Sequence, residues 1–205
     1  FTINGAEYKL PGFDGEPITG IVCNEAGCEG NYKNGFCSAN SAHYQEPELV
    51  DGVYEISNGG QLFSFAAMVN AGNSGVTRFR AKLTKDINLD NHPWTPIGTE
   101  ANPFVGTFDG NGKIISNFNV TNAYIDATGA KNRDANASVG ALFAAIDGGT
   151  VKDLTLGVYQ IAQVGEPNGA VAATATGATF LNCSVIADDI DTATPVTQTN
   201  QINIT

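Results

Sequence analysis

Basic residues are scarce in this chain. Lys and Arg together number ten against 21 Asp and Glu, for a net charge of −11. Gripping nucleic acid or an anionic membrane surface needs a basic patch, so neither is expected as a partner. Long apolar runs are missing too: no stretch of 18 or more apolar residues occurs, and no helix is expected to span a bilayer. No secretory signal stands at the start, which is Phe1 rather than Met, so the expectation is a mature or trimmed product. Histidine occurs only twice. His92 has no Ser or Cys partner at motif spacing, which leaves a nucleophilic triad without support.

What is abundant is short β-type patterning. From Trp94 to Val120 the chain reads WTPIGTEANPFVGTFDGNGKIISNFNV. Phe104, Val105, Thr107 and Phe108 lead to a turn at Asp109-Gly-Asn-Gly112, where Asp-Gly and Asn-Gly supply the positive φ angles of a chain reversal. An extended pattern then resumes at Ile114.

A phrase of the form apolar, any, Asn or Asp, apolar, any, apolar occurs at Ile115–Val120, Val151–Leu156 and Phe180–Val185. The second and third copies align without a gap from Gly140 to Leu156 and from Gly169 to Val185, 29 residues apart. A repeat of that length built from short strands predicts stacked coils, each too thin to bury its own apolar face. Asn117, Asp153 and Asn182 are expected at equivalent corners, with Phe118, Leu154 and Cys183 stacked inside, Cys183 as a buried thiol.

These residues resemble a known family. The Gln-Leu-x-x-Phe-Ala segment, the Lys-Leu-Thr-x-Asp-Ile-x-Leu strand, Trp94-x-Pro-Ile-Gly98 and Gly106-Thr-Phe-Asp-Gly-Asn-Gly112 occur in the order seen in GLUG-repeat proteins of bacterial surfaces. The likeness covers roughly residues 54–187 and departs at Gly140-Ala-Leu-Phe-Ala144, where the family has Gly-Leu-Phe-Gly. It implies a right-handed parallel β-helix and no particular chemistry, since fold does not carry function.

The expected organisation is a loop-rich lead-in over 1–53 and a β-helix over 54–205, with a capping helix near 57–71. Asn58 can cap that helix with Gln61 three residues on, while Leu62, Phe65, Ala66 and Val69 share a face. Downstream, Phe79, Ala81 and Leu83 alternate with Arg78, Arg80 and Lys82, as in a strand with one buried face. Continued alternation sets Asp86, Asn88 and Asp90 on one outward face within about 7 Å, a solvated surface or a site for a hard cation such as calcium. Trp94, between prolines, either packs over the end of a coil or offers a ring on which a sugar can stack. Residues 121–138 are polar and too long for a tight turn, which predicts a projecting loop or hairpin; its candidate binding residues are Tyr124, Asp126, Lys131, Arg133 and Asp134.

The lead-in holds Cys23, Cys28, Cys37 and His43 in a C-x4-C-x8-C-x5-H spacing. Three thiols and an imidazole can enclose a tetrahedral zinc. One disulfide among the cysteines, or free thiols, also fits. The segment from Asn34 to Pro47 resembles the Cys-x-x-Cys-Gly knuckles that precede such β-helices, with Asn40 where a second cysteine would stand.

On function, the expectation is a non-catalytic binding, adhesion or spacer module of a larger exported bacterial protein, secreted or held at the cell surface. Host glycans or matrix proteins are the expected partners, and further coils or domains are expected after Thr205. The alternative is a carbohydrate-binding or carbohydrate-cleaving β-helix, which needs two carboxylates about 5–9.5 Å apart. Asp109 is the leading acid, but the equivalent positions Asp147 and Thr176 do not continue an acidic row.

Overall fold

Alternation decides the buried face of the first regular strand: Phe79, Ala81 and Leu83 are buried while Arg78 and Arg80 are exposed. In the computed structural model, backbone and side chains are described for residues 22–72, 78–90, 92–117, 141–157 and 169–186. Backbone alone is described at 2–3, 6–7, 118–121, 124–125, 131–132, 158–162 and 187. Two compact units divide the chain, Phe1–Gln45 and Glu46–Thr205.

The first unit contains two small antiparallel pairs, β1 (Thr2–Ile3) with β2 (Ala6–Glu7) and β3 (Tyr32–Lys33) with β4 (Phe36–Cys37). The second opens with β5 (Glu48–Val50), paired antiparallel to β6 (Val53–Ile56), so residues 48–53 belong to the β unit rather than to the lead-in. After α1 (Gly59–Asn70) come β7 (Phe79–Leu83), β8 (Ile87–Asn88), β9 (Gly106–Thr121), β10 (Tyr124–Ile125) and β11 (Lys131–Asn132). The chain continues with β12 (Phe143–Asp147), β13 (Thr150–Ala162), β14 (Ala172–Thr176), β15 (Thr179–Leu181) and β16 (Ser184–Ala187).

These strands form a parallel β-solenoid of about three turns. One face runs β6, β7, β9, β13 and then β15 with β16, all in parallel pairing. A second face joins β12 to β14, extended by parallel bridges from Ile97 to Phe143 and from Phe104 to Ile146. Inward side chains of successive coils lie in columns. Ile87, Ile115, Leu156 and Val185 are paired one above the next, and so are Ala81, Phe108, Val151 and Phe180. The first three members of each column are buried, whereas Val185, in the last described coil, is 46% exposed.

The 29-residue repeat between the later coils holds throughout: Phe143 pairs with Ala172, Thr150 with Thr179 and Leu156 with Val185. The first copy of the phrase sits differently from expectation. Leu156 pairs with Ile115, not Val120, and Asp153 faces the Gly110–Gly112 corner, not Asn117. Three residues lie there between Asp109 and Lys113 where one, Asp153, lies between their partners Lys152 and Leu154. Asp109-Gly-Asn-Gly112 therefore does not reverse the chain. It makes a wide corner inside β9, with Asn111 and Gly112 at φ +52° and +69°. Gly110 is needed at that corner, because a Cβ would run into the Asp153 carbonyl and come within 2.6 Å of the Leu154 Cα. Asn117 occupies another corner, donating to the Asn88 side chain at 2.7 Å. The Phe118 side chain lies outside the described residues, and Cys183 is only partly buried because no described coil covers it.

The helix begins as its sequence implies: the Asn58 side chain accepts the Gln61 N–H at 2.9 Å, and Gln61 in turn accepts from the Ser57 N–H at 2.8 Å. It carries no charged residue and buries Leu62, Phe63, Phe65, Ala66 and Val69, as expected of a helix seated on a core. Phe65 meets the rings of Phe79, Phe104 and Phe108 at centroid distances of 5.9, 6.3 and 6.2 Å. Asn70 fixes the other end, donating to the Pro96 carbonyl and accepting the Gly98 N–H. The helix thus closes the interior of the first coil.

Phe65 is fully buried among these rings, so Phe65→Ala should cost about 3–5 kcal/mol. Urea unfolding of the two proteins measures it, and a loss below about 1 kcal/mol would show that the helix is not a structural cover.

Candidate metal centre

In the first unit, Asn34 and Gly35 carry the chain through φ +50° and +79° between β3 and β4. Two positive φ values at Asn-Gly are the signature of a tight hairpin turn. The hairpin sets Cys37 opposite Tyr32. Upstream, the loop from Cys23 to Cys28 is closed by the Cys28 N–H on the Glu25 carbonyl at 3.0 Å, and the Cys23 N–H reaches the Gly30 carbonyl at 2.8 Å. Downstream, the Cys37 N–H donates to the His43 carbonyl at 3.1 Å and the His43 N–H to the Asn40 carbonyl at 3.0 Å. Three separate backbone segments are thereby aimed at one point.

At that point the Sγ atoms of Cys23, Cys28 and Cys37 and a ring nitrogen of His43 all lie within 4.8 Å of one another. Cys28 and Cys37 have their sulfurs 3.2 Å apart, and Cys23 Sγ is 3.7 Å from His43 Nδ1. All three cysteines are free thiols. Asn40 is no substitute cysteine: its amide lies 3.0 Å from His43 Nε2, and its oxygen accepts the Ala42 N–H at 2.9 Å. Gly30 must lack a side chain, since a Cβ there would lie 2.5 Å from Cys37 Sγ and 2.8 Å from the Ala39 Cβ.

The thiols are not equivalent. Burial pushes Cys23 up, but hydrogen bonds from Tyr32, the Glu25 backbone and the neighbouring cysteines outweigh it and bring the group down to about 6. For Cys28 the Gly30 N–H pulls downward, yet the adjoining sulfurs of Cys37 and Cys23 prevail and raise it to about 11. Burial, followed by contact with Cys23, raises the Tyr32 phenol to about 12. A thiolate-bearing sulfur set with one imidazole is a donor set for a soft or borderline cation.

Elsewhere the predicted residues find structural partners. Trp94 takes the packing alternative and not the sugar platform. It is 7% exposed, its ring meets Phe63 edge-on at 4.9 Å, and its indole N–H donates to the Leu142 carbonyl at 3.2 Å. His92 lies beside the same Phe63 ring. Asp86, Asn88 and Asp90 do share the exposed face. Two of them hold neighbouring backbone and side chains: Asp86 accepts the Ile114 N–H at 3.1 Å, and Asn88 accepts from Asp90 N–H and Asn117. Asp109 accepts the Asn111 N–H and is paired with Lys152 at 2.7 Å. Tyr124 and Lys131 lie in the short antiparallel pair β10–β11, which makes that segment a hairpin. Asp126, Arg133, Asp134 and the Tyr124 side chain lie outside the described residues.

The corner residues expected at Asn117, Asp153 and Asn182 are in the left-handed region, joined by Asn111, all at φ +51° or +52°, with Asn117 at a corner separate from that of the other three. Asn182 donates to Asp153 at 2.9 Å across neighbouring coils. The signal was available in the recurring Asn or Asp of the repeat, the residues that tolerate this conformation best after glycine.

Comparison with known proteins finds no matching family model, no matching curated protein and no matching solved structure.

Two outcomes follow. Gly30→Ala should displace Cys37 and speed alkylation of its thiol by at least several-fold, read by mass spectrometry of the native protein; an unchanged rate would show that the cluster yields without cost. The coil face carries a pH dependence. Asn182 and then Lys152 hold the Asp153 carboxyl below its ordinary value, and the Asp109 partner raises Lys152. A lowered carboxyl stabilises the fold above its unfolded pKa and loses that contribution as pH falls through the folded one. A raised ammonium stabilises below its unfolded pKa and loses that contribution as pH rises through the folded one. Solenoid stability against urea should therefore decline at both ends, and Lys152→Met should flatten the alkaline limb. An unaltered profile in that variant would contradict the assignment.

Proposed function

We propose that this chain is a non-catalytic binding or spacer module of a larger exported protein, displayed at a cell surface. The observation that carries the reading is the use made of polar side chains on the coil exterior. They are engaged in holding one coil to the next: Asp86 on the Ile114 N–H, Asn88 with Asn117, Asp153 with Asn182, Thr155 with Ser184 and Asp109 with Lys152. A carboxylate pinned by an ammonium group is poorly placed to deliver or accept a proton at a sugar. Such a surface suits a stiff, soluble rod better than a catalytic cleft.

Four further features support the same reading. The acidic balance of the chain favours solubility without a basic docking patch. The resemblance to GLUG-repeat surface proteins points to export and to a bacterial source. Among the described residues Val185 ends an inward column with nearly half its surface open, the kind of edge on which a further layer stacks. The antiparallel pair of β10 and β11 falls between the strands of two successive coils, and insertions between coils are where solenoids carry binding loops. Glycans and extracellular matrix proteins are the partners this reading names.

Screening the chain against arrays of glycans and matrix proteins tests it, with Tyr124→Ala, Arg133→Ala and Asp134→Ala as hairpin variants. Binding lost by at least tenfold in these variants is the expected result. Turnover of a polysaccharide, abolished by Asp109→Asn, would overturn the reading in favour of a carbohydrate-cleaving β-helix.

A further inference from the structure

We propose that Cys23, Cys28, Cys37 and His43 bind one zinc ion in a closed tetrahedral site that supplies the core of the N-terminal unit.

Geometry is the first argument. A tetrahedral Zn²⁺ with sulfur at about 2.3 Å and nitrogen at about 2.0–2.1 Å sets its ligands on edges of about 3.6–3.8 Å. The Cys23 Sγ to His43 Nδ1 distance of 3.7 Å already matches, and no ligand atom lies more than 4.8 Å from another. Cys28 and Cys37, at 3.2 Å, need to part by only about half an ångström. A cluster of several metal atoms needs a wider cage, so the span selects a single ion.

Second, the surroundings suit thiolates. The Glu25 N–H donates to Cys23 Sγ and the Gly30 N–H to Cys28 Sγ, each from two residues downstream. Such bonds orient sulfur ligands and offset their charge. With Nδ1 on the metal, Nε2 carries the ring proton and needs an acceptor. The Asn40 amide beside it at 3.0 Å supplies one only by turning its oxygen toward the ring, at the cost of the bond that oxygen accepts from the Ala42 N–H.

Third, the described residues of the unit bury few large apolar side chains. Its buried cluster is Cys23, Tyr32 and Cys37, with Cys28 packed against them. Phe36 adds one edge-on contact with Tyr44 at 6.0 Å. A unit of 45 residues is at the size where apolar burial alone is marginal and a metal or disulfide is commonly required. A disulfide would use two sulfurs and leave the third, with the imidazole, converging for no structural reason. All four positions are taken by protein atoms, so no water or substrate site remains on the ion, and the role is structural.

The untagged full chain, purified under reducing conditions, should contain about one zinc per molecule by elemental analysis and no disulfide by mass. Cobalt should replace zinc with the visible absorption of a tetrahedral thiolate complex. Chelation should raise amide exchange over residues 22–45 while residues 79–83 and 150–157 stay protected. Asn40→Ala should weaken the metal by about 10–100-fold, the scale of an outer-shell loss. His43→Ala should weaken it further, whereas His43→Cys should restore binding, which a mere packing role for the imidazole would not produce. Should the variants fail to fold, the zinc stoichiometry and cobalt spectrum of the unaltered chain still decide. A metal-free protein with three freely alkylated thiols, or with a Cys28–Cys37 disulfide, would overturn the proposal.

Discussion

Everything in the second unit depends on one constraint: a coil of this solenoid is a single layer of chain with no interior of its own. Its apolar side chains become buried only when another coil lies above and below, with parallel backbone pairing setting the spacing at about 4.8 Å. The column Ile87, Ile115, Leu156 and Val185 displays the rule. Ile115 and Leu156, covered on both sides, are fully buried, as is Ile87 at the front, and the one at the described C-terminal edge is open. Stability in such an array grows as nearest-neighbour contacts, so the ends need separate treatment. At the front, α1 provides it, laying Phe65 on rings from three places in the first two coils.

The corners follow from the same constraint. A flat coil must turn sharply between faces, and residues at positive φ do this in the least space. Glycine is the cheapest choice, but Asn and Asp bring a side chain that can bond to the next coil, as Asn182 does to Asp153 and Asn117 to Asn88. Turning and stacking are thus performed by the same residues. Two surplus residues can then be accommodated at one corner, as at Asp109 to Lys113, without disturbing the inward columns on either side.

That tolerance explains what was legible beforehand. Between the last two coils the spacing is uniform, so the 29-residue repeat predicts the pairing of Phe143 with Ala172 and Leu156 with Val185. Between the coils of β9 and β13, bulges at the corners shift the register, and a local phrase match at Ile115 to Val120 points to the wrong partner. Short phrases cannot distinguish corner columns because all corners favour Asn or Asp. The cap at Asn58 was readable because capping chemistry is local. For Trp94 the packed reading was available beside the exposed one, and its partners Phe63 and Leu142, which decide between them, come from distant segments.

The two units answer the same shortage differently. Thin coils lack depth, and repetition supplies it by adding neighbours of the same kind. Among the described residues of the N-terminal unit there is no repeat to extend, and the β3–β4 hairpin with its two flanking loops is too short to enclose a set of large apolar side chains. What its turns accomplish is to bring polarizable sulfur and an imidazole nitrogen to one point, with Gly30 left bare so that Cys37 fits. The spacing C-x4-C-x8-C-x5-H looks irregular in one dimension because its ligands are placed by three different devices: a closed loop, an Asn-Gly hairpin, and a turn capped by Asn40. Irregular spacing there records the backbone geometry between ligands, and the regularity exists only in space.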